Sequence, residues 1–328
     1  MQIRQASILR ENWMLKAFVF IAAITVGTSA GYLYSVWTTP HPQIVSSPHS
    51  EPQRTEEAND SIKQTVQSLQ RIKTDAMDNN IPDAARPLLT RLKHQLRDLV
   101  FDTINERRDQ SPNPTRLQTS VLNKLKIDGI LVEEPAEGIE DDYLENGYAY
   151  GSINNITIQR VVNHPDLLAA TTTIELCCGS DTSLYIFKND GTQWNLVLAH
   201  EANEYADVSG AHGALKYAIS PTDDKGEFFV VVANVNPWCT SNWQSLRYAV
   251  LRLSDNSYQP KIIMQDKDTI FLDDDPPYKL KVNQKSFSLT FDGDASKIDD
   301  VTRKHLVTYV INGERATRSS KILSRHDS

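Results

Sequence analysis

Residues 228–235 read FFVVVANV, an apolar run with no polar position at either strand or helix spacing until its end. A strand that is apolar on both faces needs cover on both faces, so this stretch predicts a central, buried strand. Residues 246–253 (LRYAVLRL) are predicted to pair with it across the loop that holds 237–242.

Strand patterns continue in both directions. Residues 286–291 (SFSLTF) alternate, with Phe287, Leu289 and Phe291 on one face. The stretches 305–311 (HLVTYVI) and 183–187 (SLYIF) are rich in β-branched and aromatic residues. Lys188-Asn189-Asp190-Gly191 separates SLYIF from WNLVL (194–198), and Asn312-Gly313 separates TYVI from ERAT (314–317). Both are hairpin signals, because Asn, Asp and Gly tolerate positive φ. About ten strands are expected from residue 129 onward. Three stretches (172–200, 215–264 and 278–318) share a plan of strand, polar turn, strand, but their lengths differ. A closed propeller needs at least four units. The fold class is therefore α+β and mainly β: an antiparallel β-sandwich or irregular barrel, with a small β-propeller as the alternative.

Upstream of the strands the period changes. From 41 to 129 the only aromatic residue is Phe101, whereas 130–328 hold 19. Ile62, Val66, Leu69, Ile72 and Ala76 recur at helical spacing, as do Ala85, Leu89, Leu92, Leu96, Leu99 and Thr103. Pro82 and Pro87 place the start of the second helix in the eighties. A short third helix is expected over 115–126. The 4-3-4 spacing of the second helix suits either a coiled-coil stalk, which would make the chain a homo-oligomer, or a helical hairpin packed on the next domain.

The N-terminus differs again. Residues 17–37 (AFVFIAAITVGTSAGYLYSVW) are uncharged and mostly apolar, long enough as a helix to span about 30 Å of bilayer core. Arg4, Arg10 and Lys16 precede this stretch, and the next basic residue is Arg54, so the bias of positive charge keeps 1–16 in the cytoplasm. A signal peptide cleaved after Ala30 is the rival reading. In either case the rest of the chain is delivered to the periplasm or the cell exterior. Residues 38–57 read as a Pro-rich linker, 58–128 as a helical segment, 129–318 as an acidic mainly-β domain and 319–328 as a disordered tail.

Charge narrows the partners. The chain carries 34 Lys and Arg against 42 Asp and Glu, a net charge of −8. Residues 129–328 alone hold 18 basic and 29 acidic side chains, net −11. Such a domain repels phosphate backbones, so nucleic acid is not the expected partner. The expected partners are the membrane, through one N-terminal helix, and a protein or small ligand.

Three groups of residues could carry function. His200 and Glu204 would share a helix face, and with His212 they could hold zinc while Glu201 served as general base. The string 198–204, however, ends a predicted strand and runs into a loop, where polar residues need no metal. Acidic clusters at 140–142, 273–275 and 292–300 could hold calcium, although Lys297 and Arg303 occupy positions where an EF-hand needs Gly and Glu. The expectation is thus no cofactor, with zinc or calcium as the alternatives. Trp238, Trp243 and Tyr248 bracket an unusually aromatic loop, either a binding surface or a plug over an open core end. Cys239 is expected to form a disulfide with Cys178 or Cys177 in an oxidising compartment.

The leading functional reading is a membrane-tethered, non-catalytic binding or envelope-associated module outside the cytoplasm. Its alternatives are a metal-dependent hydrolase using the 200–212 loop and an oligomeric structural protein joined through residues 58–107.

Overall fold

The structure, a computed structural model, describes residues 62–74, 78–106, 112–127, 130–131, 148–254, 257–272, 276–294 and 302–323. The expected transmembrane stretch 17–37, the linker 38–57 and the acidic runs 140–142, 273–275 and 295–300 lie outside them. Among the described residues no helix is long and apolar enough to cross a membrane.

The chain is mainly β. Among the described residues three helices come first: α1 (Ile62–Gln70), α2 (Ala85–Asn105) and α3 (Pro114–Ile127). Two short strands, β1 (Lys73–Thr74) and β2 (Tyr148–Ala149), pair with each other. The rest is three four-stranded antiparallel sheets, each a meander whose neighbours in sequence are neighbours in space. Sheet 1 holds β3 (Ile153–Val161), β4 (His164–Glu175), β5 (Ser180–Asn189) and β6 (Trp194–His200). Sheet 2 holds β7 (Gly213–Ile219), β8 (Val230–Val235), β9 (Trp243–Ser254) and β10 (Ser257–Phe271). Sheet 3 holds β11 (Tyr278–Asn283), β12 (Ser286–Asp294), β13 (Thr302–Asn312) and β14 (Arg315–Ile322).

Strand periodicity explains how the layers join. Along β8 every residue is buried. Val230 and Val232 join the core shared with Leu184, Ile186 and Leu198 of sheet 1. Val231, Ala233 and Val235 join the core shared with Phe287, Leu289 and Val307 of sheet 3. Sheet 2 is thus the middle layer, and the apolar run at 228–235 is its two-faced interior strand, paired with β9 as the sequence suggests and with β7 on its other edge. The other face of sheet 1 packs against the helices, where Leu89, Leu92 and Leu96 of α2 meet Tyr185 and Phe187 in one cluster. The stripe that a coiled-coil stalk would use is therefore covered within the chain.

Three details differ from the expected boundaries. α1 ends at Gln70 rather than near Ala76, because a turn closed by Ile72 N–H donating to Leu69 O leads into β1. Strand pairing also extends through Ile322, past the expected domain end at 318, since β14 is registered on β13 from Arg315 opposite Asn312 to Ile322 opposite His305. The polar composition of 319–322 gives no strand signal; ladder hydrogen bonds to β13 supply the order instead. β3 and β4 also form a long hairpin with no counterpart in the predicted strands.

Candidate functional site

The most unusual chemistry in the described residues lies where α2 meets sheet 1. α2 presents a buried stripe, and Lys93 falls on it, four residues after Leu89 and three before Leu96. Helical spacing thus forces a cation into the interface. Asp181, at the start of β5, receives it: Lys93 Nζ is 2.5 Å from Asp181 Oδ2, and both side chains are fully buried.

The connection from β6 to β7 closes over this pair. Lys93 Nζ donates to Ala202 O, and its ammonium lies 4.8 Å from the centroid of the Tyr205 ring. Tyr205 OH donates to Asp181 Oδ2 at 2.9 Å. The backbone N–H of His212 donates to Asp181 Oδ1 at 2.9 Å, while Thr182 N–H donates to His212 O at the same distance. Farther along, Ile81 N–H donates to Ala206 O and Val208 N–H to Asn79 O. The loop is thus stitched both to sheet 1 and to the turn before α2.

Burial alone would raise the Asp181 carboxyl, but the Lys93 charge and the hydrogen bonds from Lys93 and His212 outweigh it and hold it below its usual value. Glu201 is also held low: burial opposes ionisation, and hydrogen bonding from His94 with the charge of Arg97 more than offsets it. His94 Nε2 lies 3.5 Å and Arg97 Nη1 3.7 Å from this carboxylate. Tyr185 and Tyr205 are pushed well up, chiefly by burial.

Of the residues expected to bind metal, His200 and His212 do come together. Their rings stack with centroids 4.3 Å apart. Glu204 sits on the exposed side of the loop, at φ +51°. Among the described residues no three His, Cys, Asp or Glu side chains are grouped to hold a metal ion. The string 198–204 is the end of β6 followed by loop, without the helix a zinc motif requires. Asp292, in the expected calcium run, lies 3.9 Å from Lys304 Nζ.

The expected aromatic loop divides in two. Trp238 and Trp243 are each 39% exposed, and Trp243 leans on Phe271 with ring centroids 5.0 Å apart. Tyr248 does not join them. It is buried between sheets 2 and 3, donating to Asp268 Oδ2 at 2.7 Å. A disulfide between Cys178 and Cys239 fixes the loop, with the Cα atoms 5.5 Å apart. Gln244 Nε2 donates to Trp238 O and Ser241 O, and Cys239 N–H donates to Asn79 Oδ1. Cys177 stays a buried thiol, accepting from Tyr150 OH and facing Asp78 O.

Lys93 and Asp181 are absent from the residues singled out by motif. The signal for Lys93 is its position on the apolar stripe of α2; for Asp181 it is an acid leading into the apolar strand SLYIF. No protein-family model matches the chain, and no curated protein sequence matches it.

Proposed function

We propose that the chain is a membrane-tethered binding module outside the cytoplasm, non-catalytic, with the loop 236–243 as its contact surface. One observation carries this reading: two exposed tryptophans, Trp238 on a loop pinned by the Cys178–Cys239 disulfide and Trp243 where that loop enters β9, stand at one end of sheet 2. Structural disulfides persist in oxidising compartments, which agrees with export directed by the apolar stretch 17–37. Rigid aromatic side chains lose little conformational entropy on binding and supply most hot-spot energy, so a fixed Trp pair suits recognition of a protein or small ligand. In this reading the three stacked meanders form a layered β-sandwich, with α1 to α3 covering the outer face of sheet 1. Successive four-stranded meanders also resemble propeller blades, but three are too few to close a ring.

The tether is tested by the intact mass of the protein from its native membrane fraction, unfolded and alkylated without reduction. A full-length mass with one alkylated thiol supports it; three alkylated thiols overturn export. The contact surface is tested by placing a photo-crosslinking residue at 238 in cells. A discrete adduct that Trp243→Ala abolishes, in a variant that still unfolds at the wild-type temperature, supports the reading. Absence of any adduct, or collapse of the fold in Trp243→Ala, assigns the tryptophans to covering the core.

A further inference from the structure

The Lys93–Asp181 pair is arranged for more than ionic contact. Nζ lies 2.5 Å from Oδ2 inside a site closed to water. Oδ1 is fixed by the backbone N–H of His212, and Oδ2 accepts from Tyr205 OH, each at 2.9 Å. We propose that Lys93 and Asp181 condense, in the folded chain, to an intramolecular amide joining Nζ to Asp181 Cγ.

The step balances without any co-reactant. A proton passes from the Lys93 ammonium to Asp181 Oδ2, giving a free amine and a neutral acid. The Nζ lone pair then attacks Cγ, the Cγ–Oδ2 bond breaks, and a second amine proton leaves with the hydroxyl as water. Nothing is oxidised or reduced. While the tetrahedral centre forms, charge gathers on Oδ1, where the His212 N–H already points, and Tyr205 OH supports the departing oxygen.

Two physical arguments favour the product. Two groups already in contact inside a rigid site do not bear the entropy cost of meeting, an advantage that reaches an effective concentration of about 10⁵–10⁸ M where the reacting atoms align, and this opposes the hydrolytic bias of bulk water. Condensation also removes two charges from a dry site, where each bears a desolvation penalty. The hydrogen-bond partners of the new amide are already in place: Ala202 O, which now accepts from Nζ, takes its N–H, and His212 N–H holds its carbonyl. No buried amide group is left unpaired. The bond would tie α2 to β5, so that the helical cover could not leave sheet 1 without breaking a covalent link.

The test uses the full-length protein, reduced, alkylated and digested with trypsin. The expected result is an intact mass lower by one water, with peptide 92–97, uncut at Lys93, branched onto peptide 161–188. Recovery of both peptides in linear, unmodified form overturns the proposal. So does a one-water loss confined to a linear 161–188 peptide, which marks cyclisation at an aspartate instead. Lys93→Arg and Asp181→Ala should each restore the full mass. If neither variant folds, the wild-type peptides decide alone.

Discussion

His200 and His212 stack face to face, 7° from parallel, with Nε2 of the first and Nδ1 of the second closed to solvent and without a hydrogen-bond partner. Both are held neutral. Burial lowers His200 well below the usual histidine value, and the neighbouring His212 adds to this against the opposing pull of Asp181 and Glu201. Burial likewise lowers His212 to about 4, with Lys93 and Arg247 adding to the effect and Asp181 opposing it.

Acid should therefore destabilise the fold in a defined window. The unfolded chain takes up protons near pH 6.5, and the folded chain only near pH 4, so stability is complete above about 6.5 and is lost as pH falls toward 4. The loss attributable to His212 is on the order of 3 kcal/mol, from a shift of about 2.5 units at 1.36 kcal/mol each. Denaturant titrations at pH 7 and pH 4 measure it. In His200→Phe/His212→Phe the difference between the two pH values should shrink; an unchanged difference would assign the acid sensitivity to other groups.

The buried pair makes a second prediction. Asp181→Ala strands the Lys93 charge, the His212 N–H and the Tyr205 hydroxyl in a dry site, at an expected cost of about 3–5 kcal/mol. Adding Lys93→Met removes the orphaned cation, so the double variant should be more stable than Asp181→Ala alone. Urea midpoints of the two variants give the comparison. A double variant less stable than the single one contradicts the arrangement described here.

How far these features can be read in the sequence depends on where their signal lies. The β8 strand was legible because an uninterrupted apolar run leaves a single arrangement, cover on both sides. The 189–191 and 312–313 turns were legible because Gly191 and Gly313 take positive φ, as hairpin chemistry requires. The continuation of β14 past residue 318 was not legible, since its exposed Ser and Lys residues gain order only from pairing with β13. His200 and His212 were visible as a pair worth testing. Lys93 was hidden, because a lysine on a helix reads as solvent-facing until its neighbours on the stripe are counted. Asp181 needed the tertiary structure, which brings together residues 88 apart in the chain.

Packing around the site gives a third prediction. A Cβ at Gly210 would lie 2.2 Å from Tyr205 Cβ, and the neighbour is the stem of the aromatic ring that covers Lys93. Because the stem cannot swing aside as a side-chain tip can, Gly210→Ala should cost about 1–3 kcal/mol through overpacking. At Gly191 no atom lies within 4 Å of an added Cβ, so only its φ of +94° opposes substitution. Thermal midpoints should fall in both variants. Only Gly210→Ala should also raise amide exchange across 201–212.

The cysteines give a fourth prediction, and the loop they close sets its size. Cys178 and Cys239 are 61 residues apart, and in the chain-entropy account a loop of that length contributes about 4 kcal/mol. Cys178→Ser/Cys239→Ser should lower stability by an amount of that order, and the loss should appear first as faster amide exchange in 236–243, the loop the bond pins. Cys177 provides an internal control. Its thiol is buried, so an alkylating reagent should label no cysteine in the native, unreduced protein and one after unfolding without reductant. Labelling of Cys239 in the unfolded, unreduced protein would mean that the Cys178–Cys239 pairing is wrong. Rapid labelling of Cys177 in the native state would mean that the contacts with Tyr150 and Asp78 do not close it off.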